Sequence, residues 1–301
     1  MRKEIFLYSA LFLLALNFFA WQEVFALAGP KNLKVDFLSV GQGDSEFIET
    51  PGGNKILIDG GPDSTVVGKL AENMPFWDRT IDLVIMTHPE KDHMTGLMDV
   101  LQKYNVKYFL WTGVVKDDAE NKKLAELLNK AQNPKENFLL ASLKIPVEKT
   151  KVVTVKAGEE IKVGNVLINI LYPFDDLAGK KADSTSNDTG IVAHVVYGKN
   201  SFLFTADIDA KAEKELVDSN ENVLSDVLKV AHHGSKYSTS DLFLQNVKPK
   251  IAVIEVGKNS YGHPTPEVLQ RLGNYDIKTL RTDQSGDIKM VSDGNKIKLI
   301  N

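Results

Sequence analysis

Cysteine is absent from the 301-residue chain. Disulfides, thiolate metal ligands and a cysteine nucleophile are therefore excluded. A positive net charge is also missing: the formal charge is −4, so the protein as a whole does not attract nucleic acid. A polyanionic substrate would need a local basic patch or bound metal cations to offset that charge. Lys180, Lys181, Lys229 and Lys236 are candidates for such a patch, although each taken alone also reads as a solvated surface lysine. No internal repeat or interdomain linker is visible. What is present is ordinary for a globular protein, with 43% hydrophobic and 25% charged residues. The length suits one large domain or two small ones and is enough to bury a sizeable core.

Residues 1–28 are a different material from the rest. Arg2 and Lys3 precede an apolar run over residues 5–21, and Ala26 and Ala28 provide small residues beyond it. This order fits an export signal. A retained signal anchor competes with it, because the run is at the short end for a membrane span of roughly 17 to 25 residues. A buried first helix is disfavoured by the lack of a polar face. Either export reading places residues 31–301 outside the cytoplasm of a prokaryotic cell.

Beyond Pro30, strand patterns alternate with helical ones. Strands are expected at 33–39, 45–50, 55–59, 81–86 and 107–111, and a helix at 119–132. Residues 161–171, 191–197 and 201–205 are β-rich, the last two forming a hairpin about Gly198-Lys199-Asn200. A helix is expected at 209–219, short buried strands at 226–231 and 251–256, and a helix at 265–272 with Pro266 near its start. Residues 277–280, 288–291 and 297–300 read as a β meander. Early hairpins followed by strand–helix alternation imply an α/β (α+β) protein with two mixed sheets face to face and helices outside. The longest irregular stretch, 174–189, is of a kind that is usually functional or disordered.

Only six histidines are available, and several fall at the ends of apolar strands. Thr87-His88-Pro89-Glu90-Lys91-Asp92-His93 ends the strand at 81–86 and crowds imidazole and carboxylate groups at one loop. Such a donor set suggests a divalent metal, and a metal suggests hydrolysis. Asp207 closes the strand 201–205, where it reads equally as a bridging ligand or as a cap for the next helix. His232-His233-Gly234-Ser235 closes the strand after it. Adjacent histidines diverge, so one is expected as a ligand and the other as an orienting or substrate group. Asp44, within Gly41-Gln42-Gly43-Asp44-Ser45, and Asp59, before Gly60-Gly61, occupy turns that glycine permits or loops folded under the site. His263, in Tyr261-Gly262-His263-Pro264, is a substrate or capping candidate, whereas His194 among valines reads as packed or facing water.

Taken in order, these segments resemble the metallo-β-lactamase fold. In particular they are similar to the soluble hydrolase domain of ComEC-type DNA-uptake proteins of natural competence. The resemblance rests on Val40-Gly41-Gln42-Gly43-Asp44-Ser45, Ile58-Asp59-Gly60-Gly61, the 87–93 cluster, Thr205-Ala206-Asp207 and residues 226–235. It continues through Tyr261-Gly262-His263-Pro264 and Arg281-Thr282-Asp283 to Gly286, and spans about residues 33–300. The membrane-spanning region of the competence proteins has no counterpart here, so a stand-alone exported form is expected.

The resemblance implies an αββα sandwich with a metal site at one sheet edge. His88 corresponds to the first histidine of the metal motif, Asp92 and His93 to its closing pair, and Asp207 to the bridging aspartate. The last ligand comes from His232 or His233. Glu90 stands where a second histidine is usual, and Asn187-Asp188 occupies the region of a missing loop histidine. Ser39 replaces an aspartate usual in this branch. One of the two usual metal positions therefore gains oxygen donors, which suit manganese or magnesium, while the Asp92–His93–His233 side suits zinc. One firm position for zinc or manganese and a weaker second one are expected. Asp92, Asp207, His233 and His263 are the expected catalytic residues. His88, Glu90, Asp92, His93, Asp207, His232 and His233 form the metal set, with Asp44, Asp59, Asn187, Asp188 and Ser235 around it or on the substrate. The expected activity is hydrolysis of DNA or a related phosphodiester. The alternatives are hydrolysis of small esters or lactones, or an inactive binding module.

Overall fold

The structure is a computed structural model that describes residues 2–28, 32–133, 149–182 and 186–300. In chain order its elements are α1 (Arg2–Ala28), β1 (Leu33–Phe37), β2 (Glu46–Glu49), β3 (Lys55–Ile58), α2 (Thr65–Asn73), β4 (Thr80–Ile85), α3 (Lys91–Lys103), β5 (Asn105–Trp111), α4 (Ala119–Gln132) and β6 (Lys151–Thr154). They continue with β7 (Glu160–Val163), β8 (Val166–Tyr172), β9 (Val192–Tyr197), β10 (Asn200–Phe204), α5 (Ala210–Asp218), β11 (Val227–Lys229), α6 (Asp241–Val247), β12 (Ile251–Ile254), α7 (Pro266–Asn274), β13 (Lys278–Arg281), β14 (Ile288–Ser292) and β15 (Ile297–Ile300).

Two sheets result, in the orders β15-β14-β1-β2-β3-β4-β5-β6 and β13-β12-β11-β10-β9-β8-β7. Each is antiparallel in part and becomes parallel where helices intervene: from β3 to β6 in the first sheet, and from β10 to β13 in the second. Their facing sides share one core, in which Phe37 and Ile58 of the first sheet join Val195, Phe202 and Val253 of the second. Phe37 and Phe204 meet across it at 5.8 Å. A second core lies under α5, α6 and α7 through Leu216, Phe243 and Leu272. A third lies under α2, α3 and α4 through Leu70, Leu97 and Leu124. The architecture is thus the expected αββα sandwich, held by three apolar layers.

One element departs from expectation. Residues 277–300 are no meander: β13 extends the second sheet beside β12, whereas β14 and β15 belong to the first, with β14 beside β1. All three runs mix apolar residues with a lysine, and hydrophobic pattern alone does not say which sheet an edge strand joins. The chain crosses between sheets at Thr282, whose hydroxyl donates to the Val256 carbonyl at 3.0 Å.

At the N-terminus α1 is one uninterrupted helix, and its described side chains from Phe6 to Trp21 are largely exposed, Phe6 at 78% and Leu14 at 67%. Among the described residues, no helix is long and apolar enough to cross a membrane. The junction that a signal peptidase would cut, after Ala28, runs into residues 29–31, outside the described ones.

Candidate metal centre

The C-terminal ends of parallel strands are where α/β sheets concentrate their chemistry. Here both sheets contribute: Asp59 follows β3, His88 follows β4, Asp207 follows β10 and His233 follows β11. Three glycine-rich approaches bring the first-sheet loops together. The Gly60 amide donates to the His93 carbonyl at 2.7 Å, Gly96 to Gly61 at 3.0 Å and Gly61 to Asp44 at 2.9 Å. A Cβ at Gly43 would overlap the Asp92 carbonyl oxygen, and one at Gly96 would overlap that of Gly60. Glycine is needed at both for this close approach. Both sheets also contribute strained backbone. Asp59, Ala206, His232 and His233 all have φ between 47° and 52°, a region that costs a side-chain-bearing residue about 1–2 kcal/mol.

Those contortions converge donor atoms. Asp92, His93, Asp207 and His233 each offer one ligand atom, and all four lie within 4.8 Å of one another. Asp59, His88 and His93 form an adjoining set by the same measure. Asp92 and His93 lie in the first turn of α3, so the motif runs from loop into helix.

Hydrogen bonds orient the rings. The Thr87 hydroxyl donates to Asp59 Oδ2 at 2.6 Å, and its oxygen accepts from His88 Nδ1 at 2.9 Å. His93 Nδ1 donates to the same Asp59 carboxylate at 2.8 Å, and His233 Nδ1 to the Glu255 carbonyl at 2.9 Å. All three histidines therefore present Nε2 to the centre, the orientation that outer carboxylates and carbonyls impose on metal-binding imidazoles. His88 Nε2, His93 Nε2 and Asp207 Oδ1 are buried without a hydrogen-bond partner. Leaving such atoms unsatisfied costs about 1–3 kcal/mol each. Divalent cations at the two sets would remove that cost, so the residues present fit a metal.

Charge is organised to the same end. Burial and neighbouring His93 push His88 down to about 3, leaving a neutral ring. Burial also works against charge on His93 and His233, but Asp207 and Asp44 outweigh it, holding His93 well above the usual imidazole range and His233 up at about 10. Asp207 resists its own burial because His233 and His93 hold it well below the usual carboxylate range. Beneath them Lys229 is fully buried: its ammonium donates to Asp44 and to the Ala206 carbonyl at 3.0 Å, and lies 3.7 Å from Asp207 Oδ1. Lys229 is thus a correction to the expected surface patch. Its strand is covered on both faces, and four carboxylates (Asp44, Asp207, Glu46 and Glu255) hold its proton against desolvation. Lys236, in contrast, lies over the Tyr237 ring at 5.1 Å.

A cavity of about 200 Å³ opens over the centre, lined by Gln42, Glu90, Asp92, Asn187, Asp207, His232, His233, Tyr261 and His263. Of the adjacent histidines, His233 points its Nε2 at Asp92 and Asp207, 3.2 and 3.5 Å away. His232 forms part of the cavity wall, with Nε2 3.3 Å from Asn187 Nδ2 and 3.8 Å from Asp207 Oδ2. Burial holds His232 and His263 below the ordinary imidazole value. Glu90 is the second correction: it lines the cavity without joining either converging set. Its Oε1 accepts from Lys116 Nζ at 2.8 Å and from the Ser186 amide and hydroxyl at 3.0 and 2.7 Å, tying the 174–189 loop to the mouth. Asp188 is exposed and outside the cavity lining, and part of its loop, 183–185, lies outside the described residues. Ser235 is buried and serves its own turn, its amide donating to the His232 carbonyl at 2.9 Å. Sequence reasoning missed Thr87 and Glu255, whose partners come from other strands.

Comparison with known proteins agrees with this geometry. Residues 54–228 match the family model of the beta-lactamase superfamily domain. The chain belongs to this superfamily, whose members are typically metal-dependent hydrolases. Within it the chain is related to competence proteins. It is 31% identical over 275 residues to the ComE operon protein 3 of Bacillus subtilis (strain 168), covering 85% of this chain and 32% of that protein. It is 43% identical over 105 residues to the competence protein ComA of Neisseria gonorrhoeae, 34% of this chain and 15% of that one. The chain thus spans about a third or less of these relatives' length. In fold it resembles the metallo-beta-lactamase fold protein YhfI from Bacillus subtilis, with a TM-score of 0.55 and 13% identity over 87% of this chain and 100% of that one.

Proposed function

We propose that the chain is an exported metal-dependent phosphodiesterase acting on DNA or a related phosphodiester. The observation that carries the metal part is the trio of buried atoms without a hydrogen-bond partner, His88 Nε2, His93 Nε2 and Asp207 Oδ1, within the two converging donor sets. Asp92, His93, Asp207 and His233 hold the firm position, with two nitrogens and two oxygens that suit zinc or manganese. His88, whose donor atom lies within 4.8 Å of those of Asp59 and His93, marks a weaker second position. A divalent cation there polarises a phosphoryl oxygen and acidifies water.

The chain's own groups supply the rest. Asp207 and Asp92 place negative charge opposite the cation, and Asp59 and Glu255 keep the imidazoles turned inward. His232, kept neutral by burial at the cavity wall, has a nitrogen able to take or return a proton beside Asp207. His263 faces it, with ring centroids 5.6 Å apart. The phosphodiester preference is supported by a relative named as a competence protein. Export and attachment through residues 5–21 are supported by the basic start and apolar run of residues 1–28. A fusion of residues 1–40 to alkaline phosphatase, active only outside the cytoplasm, tests that part.

For the activity, the full chain loaded with manganese or with zinc is assayed on single-stranded DNA, bis-p-nitrophenyl phosphate and p-nitrophenyl acetate. The proposal expects metal-dependent cleavage of the phosphodiesters. Cleavage of the acetate alone would make the protein an esterase, and failure to bind either metal would make it a binding module.

A further inference from the structure

One wall of the cavity is left without a task by the chemistry above. Tyr261 is 73% exposed yet lines the cavity beside the carboxylates and imidazoles of the centre. Its ring lies 5.7 Å from that of His263 at an interplanar angle of 30°, and His263 in turn meets His232 at 79°. The loop that carries it is braced rather than loose. Asn259 Oδ1 accepts from the amides of Tyr261 and His263 at 3.0 and 3.1 Å, while Asn259 Nδ2 donates to the Gly257 and His263 carbonyls at 2.9 and 2.8 Å. The Gly257 amide donates to Gln42 Oε1 at 3.3 Å, which fastens the loop to the opposite rim. His263 Nδ1 is buried without a hydrogen-bond partner.

We infer that Tyr261, backed by His263, is a stacking platform for a nucleobase next to the scissile phosphate, so that the substrate is single-stranded. This rests on the phosphodiester reading and adds the strand state to it. The cavity has two unlike walls. Asp92, Asp207 and His233 face the site where a phosphate meets a cation, and the flat Tyr261–His263 pair stands at its mouth. A base already stacked inside a duplex has no free face for such a ring, whereas an unpaired base does. The net charge of −4 gives the chain no long-range pull on phosphates. Stacking adds an attraction to that of a bound cation, and it is tolerant of sequence because every base has a π-face.

The test measures KM and kcat of the full manganese-loaded chain on a thymidine octamer, on the same octamer with abasic residues, and on a duplex. Tyr261→Ala and Tyr261→Phe are compared with wild type. Stacking of one base by one ring predicts a KM higher on the order of tenfold for Tyr261→Ala, with a smaller change in kcat, and a KM near wild type for Tyr261→Phe. Wild type on the abasic octamer should resemble Tyr261→Ala on the thymidine octamer, and the duplex should be the poorest substrate. Equal KM for wild type and Tyr261→Ala, equal use of abasic and normal octamers, or a preference for duplex would each overturn the inference while leaving the phosphodiesterase standing. No cleavage of any phosphodiester by wild type would overturn both.

Discussion

His93 donates its Nδ1 proton to Asp59 at 2.8 Å, across an interval of thirty-four residues that joins the first turn of α3 to the end of β3. The same carboxylate accepts from the amide and the hydroxyl of Thr87, at 2.8 and 2.6 Å. Asp59 is therefore the hub that turns His93 and, through Thr87, His88 toward the centre. Its burial raises its own pKa, and the three donors offset that.

Replacing Asp59 with Asn removes the charge that orients His93 without touching any converging atom of the firm position. Partners of this kind typically govern metal affinity by 10–100-fold. Calorimetric titration of the full Asp59→Asn chain with zinc should show weakening within that range, with the stoichiometry of the firm site kept. Unchanged affinity would mean that the rings are held by packing alone.

Lys229 sets a second expectation. Its ammonium is fully buried against Asp44 and beside Asp207, Glu46 and Glu255, and burial with Asp44's charge lifts Glu46 to about 8. Removing one partner of a buried ion pair leaves the other charge uncompensated, at a cost of about 3–5 kcal/mol. Lys229→Met should lower the unfolding free energy by that order in chemical denaturation. Adding Asp44→Asn should restore part of it, because the stranded carboxylate is then gone. A surface lysine would show neither effect.

Asp36 on β1 links stability to pH away from the centre. Burial lifts its carboxyl from the usual value to about 6 despite Lys289 at 3.8 Å. A raised carboxyl favours folding in its neutral form. That contribution is complete below the unfolded pKa, near 4, and is lost as pH rises through about 6. The loss amounts to roughly 1–3 kcal/mol. Asp36→Asn cannot ionise and should be the more stable protein above pH 6, with the two melting-temperature profiles converging toward pH 4. Parallel profiles across that window would contradict the assignment.

The strand-end residues His88, Asp207 and His233 were legible in the sequence because apolar runs ending in His or Asp are rare in a chain with six histidines. The sandwich was legible for the same reason, since buried strands and amphipathic helices write their periods locally. Side-chain direction was not. Glu90 turns to Ser186, ninety-six residues away, and Lys229 to Asp44, one hundred and eighty-five away, and nothing local foretells either partner. Of the neighbours His232 and His233, only the latter is turned inward, by a carbonyl of β12's continuation that spacing cannot locate. The placement of β13 and β14 in different sheets likewise depends on tertiary pairing rather than on pattern.

The proposed chemistry depends on a cation that the four convergent residues would hold. Asp207 is the residue on which it turns, because it faces both His93 and His233, at 3.4 and 3.5 Å. The decisive measurement pairs zinc and manganese binding with cleavage of single-stranded DNA for the wild-type chain and Asp207→Ala. Wild type should cleave only with metal bound. Asp207→Ala should lose at least about a hundredfold in cleavage and bind metal more weakly, roughly the scale of removing a group that acts directly on the reaction. Equal cleavage by the two proteins, or cleavage by wild type that persists after the metal is stripped with EDTA, would contradict the proposed chemistry.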